Sequence, residues 1–196
     1  MPHISVGDIL RRASKESTWL GKTIRGYIER GELVPDNIVI DIVSKYLLKE
    51  ECKRGYVLDG FPRTLGQAEA LEQIAPPHVV VYLNAPDEVI IERISGRLVC
   101  LVCGAVYHTK WRPPKVEGVC DNCGTKLVRR VDDRPGIVRK RLRVSRTQLA
   151  PVIEFYRLRG ILVEVDASED STAVIPRVIR LLEEFFAEKE VETATA

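Results

Sequence analysis

Cys100, Cys103, Cys120 and Cys123 form two C-x-x-C pairs with sixteen residues between them. Paired thiols at this spacing can hold one metal ion tetrahedrally, as in a zinc ribbon. Each pair sits on a tight turn, Cys-Leu-Val-Cys-Gly and Cys-Asp-Asn-Cys-Gly. The Gly that follows lets the backbone fold round so that both sulfurs face one ion. Four unrelated thiols or two disulfides are the alternative, and an intracellular setting disfavours disulfides. Zinc is the expected ion, with iron the other metal four thiolates accept. Cys52 stands apart and reads as inert packing.

A second group with chemical potential is Leu58-Asp59-Gly60-Phe61-Pro62-Arg63, with Gln67 after it. An Asp at the carboxyl end of a buried strand is costly unless it serves a cation or its waters. An Arg on the loop beyond has the fork geometry to clamp a phosphate at two points. An Asp capping a turn and an Arg lying in solvent would use the same residues, and residue types alone leave both readings open.

These groups need elements to position them. Residues 7–32 read as two short helices broken at Ser17-Thr18, with Ile9, Leu10 and Ala13, then Leu20, Ile24, Tyr27 and Ile28, at helical spacing. Gly31 ends the second helix, and Pro35-Asp36 opens a third with a broad stripe of Ile38, Val39, Ile42, Val43, Tyr46 and Leu47. Residues 55–60 and 78–85 read as buried parallel strands, each followed by a helix, 64–73 and 86–95. The cysteine segment, 96–133, has many turn residues and little periodicity, as expected of an insert held by metal. Asp133 reads as the N-cap and Pro135 as the first turn of a long helix with Leu142, Leu149, Ile153 and Tyr156 on one face. Gly160 stops it, 161–166 is a third strand, and Ser171 or Thr172 starts a last helix to Phe186. Alternating strands and helices predict an α/β fold with a parallel sheet covered on both faces, and ligands at the carboxyl ends of its strands.

The composition is 45% hydrophobic and 30% charged, which is globular, and a formal charge of +2 gives no argument for nucleic acid. No apolar run is long enough to span a bilayer and the first residues begin no signal peptide, so the expectation is a soluble, cytoplasmic protein. Three Asn, three Gln and one Met beside many Arg and Glu fit a heat-adapted source.

Asp59-Gly60-Phe61-Pro62-Arg63-Thr64 followed by Gln67 resembles the signature of the adenylate kinases, the nucleoside monophosphate kinases of which one type carries a zinc-held lid. The resemblance covers almost the whole chain. Ser5-Val6-Gly7-Asp8-Ile9-Leu10-Arg11 is similar to the segment that opens that family's monophosphate-binding domain, and Gly31-Glu32-Leu33-Val34-Pro35 to the one that closes it. Gly96-Arg97, Val106-Tyr107-His108, Pro113-Pro114-Lys115, Arg130 to Asp133 and Val138 to Arg141 follow in family order.

The resemblance implies a P-loop-kinase-like core of residues 1–4, 35–96 and 134–187, a monophosphate-binding domain of 5–34, a zinc-binding lid of 97–133 and a flexible tail from 188. It implies reversible transfer of a phosphoryl group, ATP + AMP = 2 ADP, with Mg²⁺ accompanying ATP. AMP would lie against Val6, Arg11, Glu32, Leu33, Val34, Gly60, Phe61, Pro62, Arg63, Gln67, Arg130 and Arg141, with Gln67 reading the adenine edge. Asp59 would hold Mg²⁺ through water. Arg93, Arg97, Arg130 and Arg141 would gather round the phosphates of ATP and the phosphoryl in flight, and Asp132 and Asp133 would pair with lid arginines. Val106, Tyr107 and His108 would meet the base and ribose of ATP. A monomer is expected, with no membrane or nucleic-acid partner.

The sequence departs from the family pattern in three places. The Gly-x-x-x-x-Gly-Lys loop that cradles ATP phosphates in such kinases is not among these residues; a start assigned at an internal methionine is the simpler expectation, and a genuinely shortened protein is the alternative. Val6 stands where a Thr is usual, and Glu169 where many relatives have Lys. Rival readings are an AMP-binding regulator that transfers nothing, a UMP or CMP kinase, and a zinc-ribbon binder of nucleic acid through Trp111, Arg112, Lys115, Lys126, Arg129 and Arg130.

Overall fold

A computed structural model describes residues 1–195. The order of elements is β1 (His3–Ser5), α1 (Val6–Ala13), α2 (Trp19–Arg30), α3 (Asp36–Leu47), β2 (Val57–Asp59), α4 (Leu65–Ile74), β3 (Val80–Asn84), α5 (Asp87–Ser95), β4 (Arg97–Val99), β5 (Val106–His108), α6 (Pro135–Leu158), β6 (Leu162–Asp166) and α7 (Ser171–Thr195). Short 3₁₀ turns occupy Glu50–Cys52 and Val131–Asp133. The fold is α/β, as the alternation of strand and helix signals predicts. The chain forms two compact units, Met1–Phe61 with Asp87–Thr147, and Pro62–Pro86 with Gln148 onward.

In the first unit the local signals act as expected. Thr18 caps α2, its hydroxyl accepting the Gly21 N–H at 3.0 Å. Gly31 closes α2 at φ 68°, a left-handed conformation that spares a Cβ clash only in glycine. α1 carries Asp8 in its first turn and Arg11 and Arg12 in its last, so its charges oppose the helix dipole at both ends. The buried stripe of α3 narrows to Val39, Val43 and Leu47, which join Ile4, Val6, Ile9, Ile24 and Val34 as buried side chains of this unit. β1 and β2 pair in parallel with Ser5 opposite Asp59. β4 and β5 form an antiparallel hairpin, Arg97 opposite His108.

In the second unit β3 and β6 pair in parallel over five residues, from Val80 opposite Leu162 to Asn84 opposite Asp166. Ala68 of α4 and Val152 and Tyr156 of α6 form its buried centre, with Leu149, Phe155, Ile161 and Leu162 around them. Val152, rather than Ile153, is the residue α6 buries beside Tyr156.

Four expectations need correction. β2 and β3 are not buried strands: Val57 is 47% and Leu83 54% exposed. Each belongs to a two-stranded sheet among the described residues, so one edge of each goes unpaired and its side chains are covered only in part. Asp133 does not serve α6 as an N-cap; its carboxylate is taken up by Arg97. α7 continues past Phe186 to Thr195, because no Gly or Pro stops it there. β1, β4 and β5 escape a periodicity reading because each is only three residues long.

Candidate active site

The first unit gathers four guanidinium groups from four places in the chain. Arg11 ends α1, Arg97 begins β4, Arg130 precedes the 3₁₀ turn, and Arg141 lies in the second turn of α6. Three carboxylates hold them. Asp8 Oδ1 accepts from Arg11 Nε at 3.2 Å and Nη2 at 2.6 Å, and from Arg130 Nη2 at 3.2 Å. Asp132 Oδ2 lies 3.6 Å from Arg11 Nη1 and 3.5 Å from Arg141 Nη1. Asp133, wholly buried, accepts both Arg97 Nε at 2.9 Å and Nη2 at 2.5 Å.

The electrostatics follow from this packing. The hydrogen bonds from Asp133 raise the Arg97 pKa above its ordinary value, outweighing desolvation. Burial lowers both Arg130 and Arg141: at Arg130 the repulsion of Arg11 and Arg97 adds to it, whereas at Arg141 the attraction of Asp132 and Asp133 exceeds that repulsion without outweighing the burial. Burial pushes the Asp8 carboxyl up, but Arg11 and Arg130 outweigh it and hold it below the usual range. Four cations against three anions, in a partly desolvated setting, leave an excess of positive charge that an arriving anion relieves. Guanidinium forks braced from behind by carboxylates suit the several oxygens of a phosphoryl group, whose transfer needs positioning and charge neutralisation more than a protein nucleophile.

The expected residues of the second unit are Pro62, Arg63 and Gln67. Gln67 is 2% exposed, and its Oε1 accepts the backbone N–H of Arg63 at 2.8 Å. The Thr64 hydroxyl caps α4 by accepting the Gln67 N–H at 3.2 Å. The Gln67 side chain therefore shapes the very turn that carries Arg63. Asp59, expected at the end of a buried strand, has a side chain 62% exposed and lies 3.7 Å from His3 Nε2. That exposure leaves the carboxylate open to water and to a hydrated cation.

Of the residues expected near ATP, Val106 is exposed, while the Tyr107 side chain is buried at 6% inside the cysteine module. The Tyr107 hydroxyl accepts the Asp121 N–H at 2.9 Å and lies 3.6 Å from Cys120 Sγ, so what Tyr107 can offer a nucleotide is its backbone. His108 Nδ1 accepts the N–H groups of Lys110 at 3.0 Å and Trp111 at 3.2 Å, which places the ring proton on Nε2, 3.4 Å from the Glu92 carbonyl at the end of α5. The ring stacks on Trp111 at 4.2 Å, and the Arg93 guanidinium stands 6.0 Å from the Trp111 ring. A Cβ on Gly96 would come within 2.2 Å of His108 Nε2, so a side chain at 96 is incompatible with this seat. Trp111 was flagged in the sequence only for nucleic acid; here it is engaged by His108 and Arg93, and Arg130 by Asp8.

The four cysteine sulfurs lie within 4.8 Å of one another. Cys100 and Cys123 are 3.4 Å apart, and Cys103 and Cys120 3.5 Å. Four thiolates about 2.3 Å from zinc would stand about 3.8 Å apart, so the cluster fits a tetrahedral ion with slight expansion. Gly104 and Gly124 take φ of 76° and 71°, and their N–H groups bond back to the carbonyls of Cys100 and Cys120, which closes each turn under its sulfurs. The Thr125 hydroxyl and amide pull the Cys123 thiol down to about 6. At Cys103 the Ala105 amide is outweighed by the neighbouring sulfurs and by burial, which push that thiol up to about 12, as crowding of four sulfurs with one shared charge requires. Leu127, with Leu98 and Ala105, packs beneath. Cys52 lies elsewhere, buried, its thiol donating to the Tyr46 carbonyl at 3.3 Å.

Asp8 and Lys140 went without a role in the sequence. Asp8 sits inside the segment 5–11 that points to monophosphate binding, and that is the only signal that could have flagged it. No helix among the described residues is long and apolar enough to cross a membrane.

The model of a family described as "Adenylate kinase" matches residues 1–161. The chain is 46% identical to the adenylate kinase of Caldicellulosiruptor saccharolyticus over 187 residues, covering 93% of the chain and 87% of the relative. It is 46% identical to that of Methanosarcina mazei over 190 residues, 94% and 88% of the two chains. With that of Staphylococcus aureus strain Mu50 it shares 44% over 188 residues, 93% and 87%.

Proposed function

The chain belongs to the adenylate kinase family, and from that premise we propose that the arginine cluster of the first unit holds the phosphoryl group as it passes from ATP to AMP. The reaction is ATP + AMP = 2 ADP, and the chain is a phosphotransferase. In the first unit Arg11 would hold the AMP phosphate, with Val6, Gly60, Phe61 and the backbone of Glu32 to Val34 on the AMP side. Pro62, Arg63 and Gln67 of the second unit would serve AMP as the family pattern implies, Arg63 clamping the phosphate and Gln67 reading the base. Arg97, Arg130 and Arg141 neutralise the charge that spreads over the transferring oxygens. Arg93, His108 and the backbone of Val106 and Tyr107 meet ATP. Magnesium accompanies ATP, and the open carboxylate of Asp59 would hold it through water; bound there, it would neutralise phosphate charge. Residues 5–34 and 97–133 are the parts that close over the two nucleotides, excluding water.

The observation that carries this reading is the excess of guanidinium groups over carboxylates at Arg11, Arg97, Arg130 and Arg141. The cysteine cluster supports a structural zinc, since its ligands pack on their own small core. A reducing, cytoplasmic setting is proposed because four cysteines are gathered as metal ligands rather than paired as disulfides, and the unit of function is proposed to be a monomer. The test is Arg130→Ala: loss of a donor to the transition state should cut turnover roughly a hundredfold or more while the melting temperature stays close to the parent's. A variant as active as the parent would contradict the assignment.

A further inference from the structure

Where α2 ends it is seated on the turns of α6 that carry Arg141. A Cβ on Gly31 would come 2.9 Å from Ile137 Cγ2 and 3.2 Å from both the Ile137 carbonyl and Arg141 Cγ. The glycine thus serves two ends at once, the left-handed close of α2 and an approach to α6 that no side chain would permit. Val34, three residues beyond Gly31, and Val138, next to Ile137, are buried, at 5% and 1% exposure.

One ion pair straps the seat. The Glu32 carboxylate is divided between two cations: Oε1 takes Lys140 Nζ at 2.9 Å and Oε2 takes Arg30 Nε at 2.8 Å. Lys140 immediately precedes Arg141, whose Nη1 lies 3.5 Å from Asp132 Oδ2, the same oxygen that stands 3.6 Å from Arg11 Nη1. A tug on Lys140 is therefore a tug on the helix turn that aims Arg141 at the shared carboxylate. The side chain of Glu32 faces Lys140 and Arg30, so any contact with AMP falls to its backbone.

We propose that Glu32 and Lys140 are positioning residues: their ion pair holds the end of α2 on α6 and so fixes Arg141 against AMP. This rests on the adenylate kinase reading of the site. Both side chains are partly exposed, Lys140 at 43% and Glu32 at 35%, so the strap has the strength of a surface ion pair and is weakened by salt. Such a pair shifts an equilibrium by roughly two- to fivefold. A strap of that strength biases closure while leaving the segment free to open for product release.

The experiment is AMP binding by calorimetry, with turnover alongside, for the parent, Glu32→Lys, Lys140→Glu and the double exchange. Each single exchange sets like charges side by side. It should weaken AMP binding by roughly two- to fivefold at low salt, and Lys140→Glu should keep the parent's turnover at saturating AMP. The double exchange should recover part of the affinity lost by the worse single variant, stopping short of the parent because Arg30 then faces a cation at position 32. A merely structural disturbance would recover none, and the gap between parent and single variants should close as salt is raised. Single variants with the parent's affinity, or a double variant no better than the worse single one, would overturn the strap alone. A parent protein that bound no AMP would overturn the function on which it rests, and the strap with it.

Discussion

Removing the Asp133 carboxylate should destabilise the protein more than any surface change near the site. Asp133 is 0% exposed and gives both oxygens to Arg97, whose side chain keeps 27% of its exposure. Breaking a buried pair by removing one partner costs about 3–5 kcal/mol because the other charge is stranded. Arg97 recovers some of that from water, so Asp133→Ala should cost about 2–4 kcal/mol. At about 2–4 °C per kcal/mol for a chain of this size, the melting temperature should fall by about 5–15 °C. Arg97→Ala should cost at least as much, since the ion then stranded is the fully buried one. The double variant should lose clearly less than the sum of the two, because neither charge remains unpaired. Thermal or urea unfolding of the four proteins completes the cycle. Additive losses, or an Asp133→Ala protein melting within about 1 °C of the parent, would refute the reasoning.

Four more expectations follow from the same geometry. Arg63→Ala should abolish turnover with AMP by removing the clamp on the acceptor phosphate, and normal rates in a steady-state assay would sink that role. Cys100→Ser or Cys120→Ser should lower thermal stability more than intrinsic rate, and a chelator should do the same to the parent; melting unchanged by chelation would count against a structural zinc. Gly96→Ala places a methyl 2.2 Å from His108 Nε2 and must unseat that ring, at a cost of roughly 1–3 kcal/mol and with a changed near-ultraviolet signal from Trp111. The hydrogen bonds from Lys140 and Arg30 hold the Glu32 carboxyl below its ordinary value. A depressed carboxyl contributes above its unfolded pKa and loses that contribution as the pH falls through the folded one. The difference in AMP affinity between the parent and Glu32→Gln should accordingly be full at neutral pH and vanish in acid; a difference unchanged by acid would count against it.

Local chemistry made much of this fold readable. Thr18, Gly31, Pro35 and Thr64 mark helix ends by what their side chains and backbones can do, and the helices begin and end beside them. The cysteine turns are equally legible, because two thiols three residues apart with a glycine behind them admit few conformations. What stayed hidden depends on pairing across distance. Asp8 reaches Arg130 over 122 positions and Glu32 reaches Lys140 over 108, and no period or cap signals such a partner. The exposure of β2 and β3 was misread for a related reason. A run such as Val80 to Leu83 states that a strand forms, while its burial depends on which strands pair beside it. Tyr107 shows the same limit within the site. Its position in a motif drew attention to a ligand, but its ring completes the core under Cys120.

The most direct test is to incubate the purified protein with Mg²⁺, ATP and AMP and to follow the nucleotides by phosphorus resonance or chromatography. The account predicts two ADP formed for each ATP and AMP consumed, with AMP preferred over UMP and CMP at equal concentration. ADP formation independent of AMP, or a preference for UMP or CMP, would contradict it.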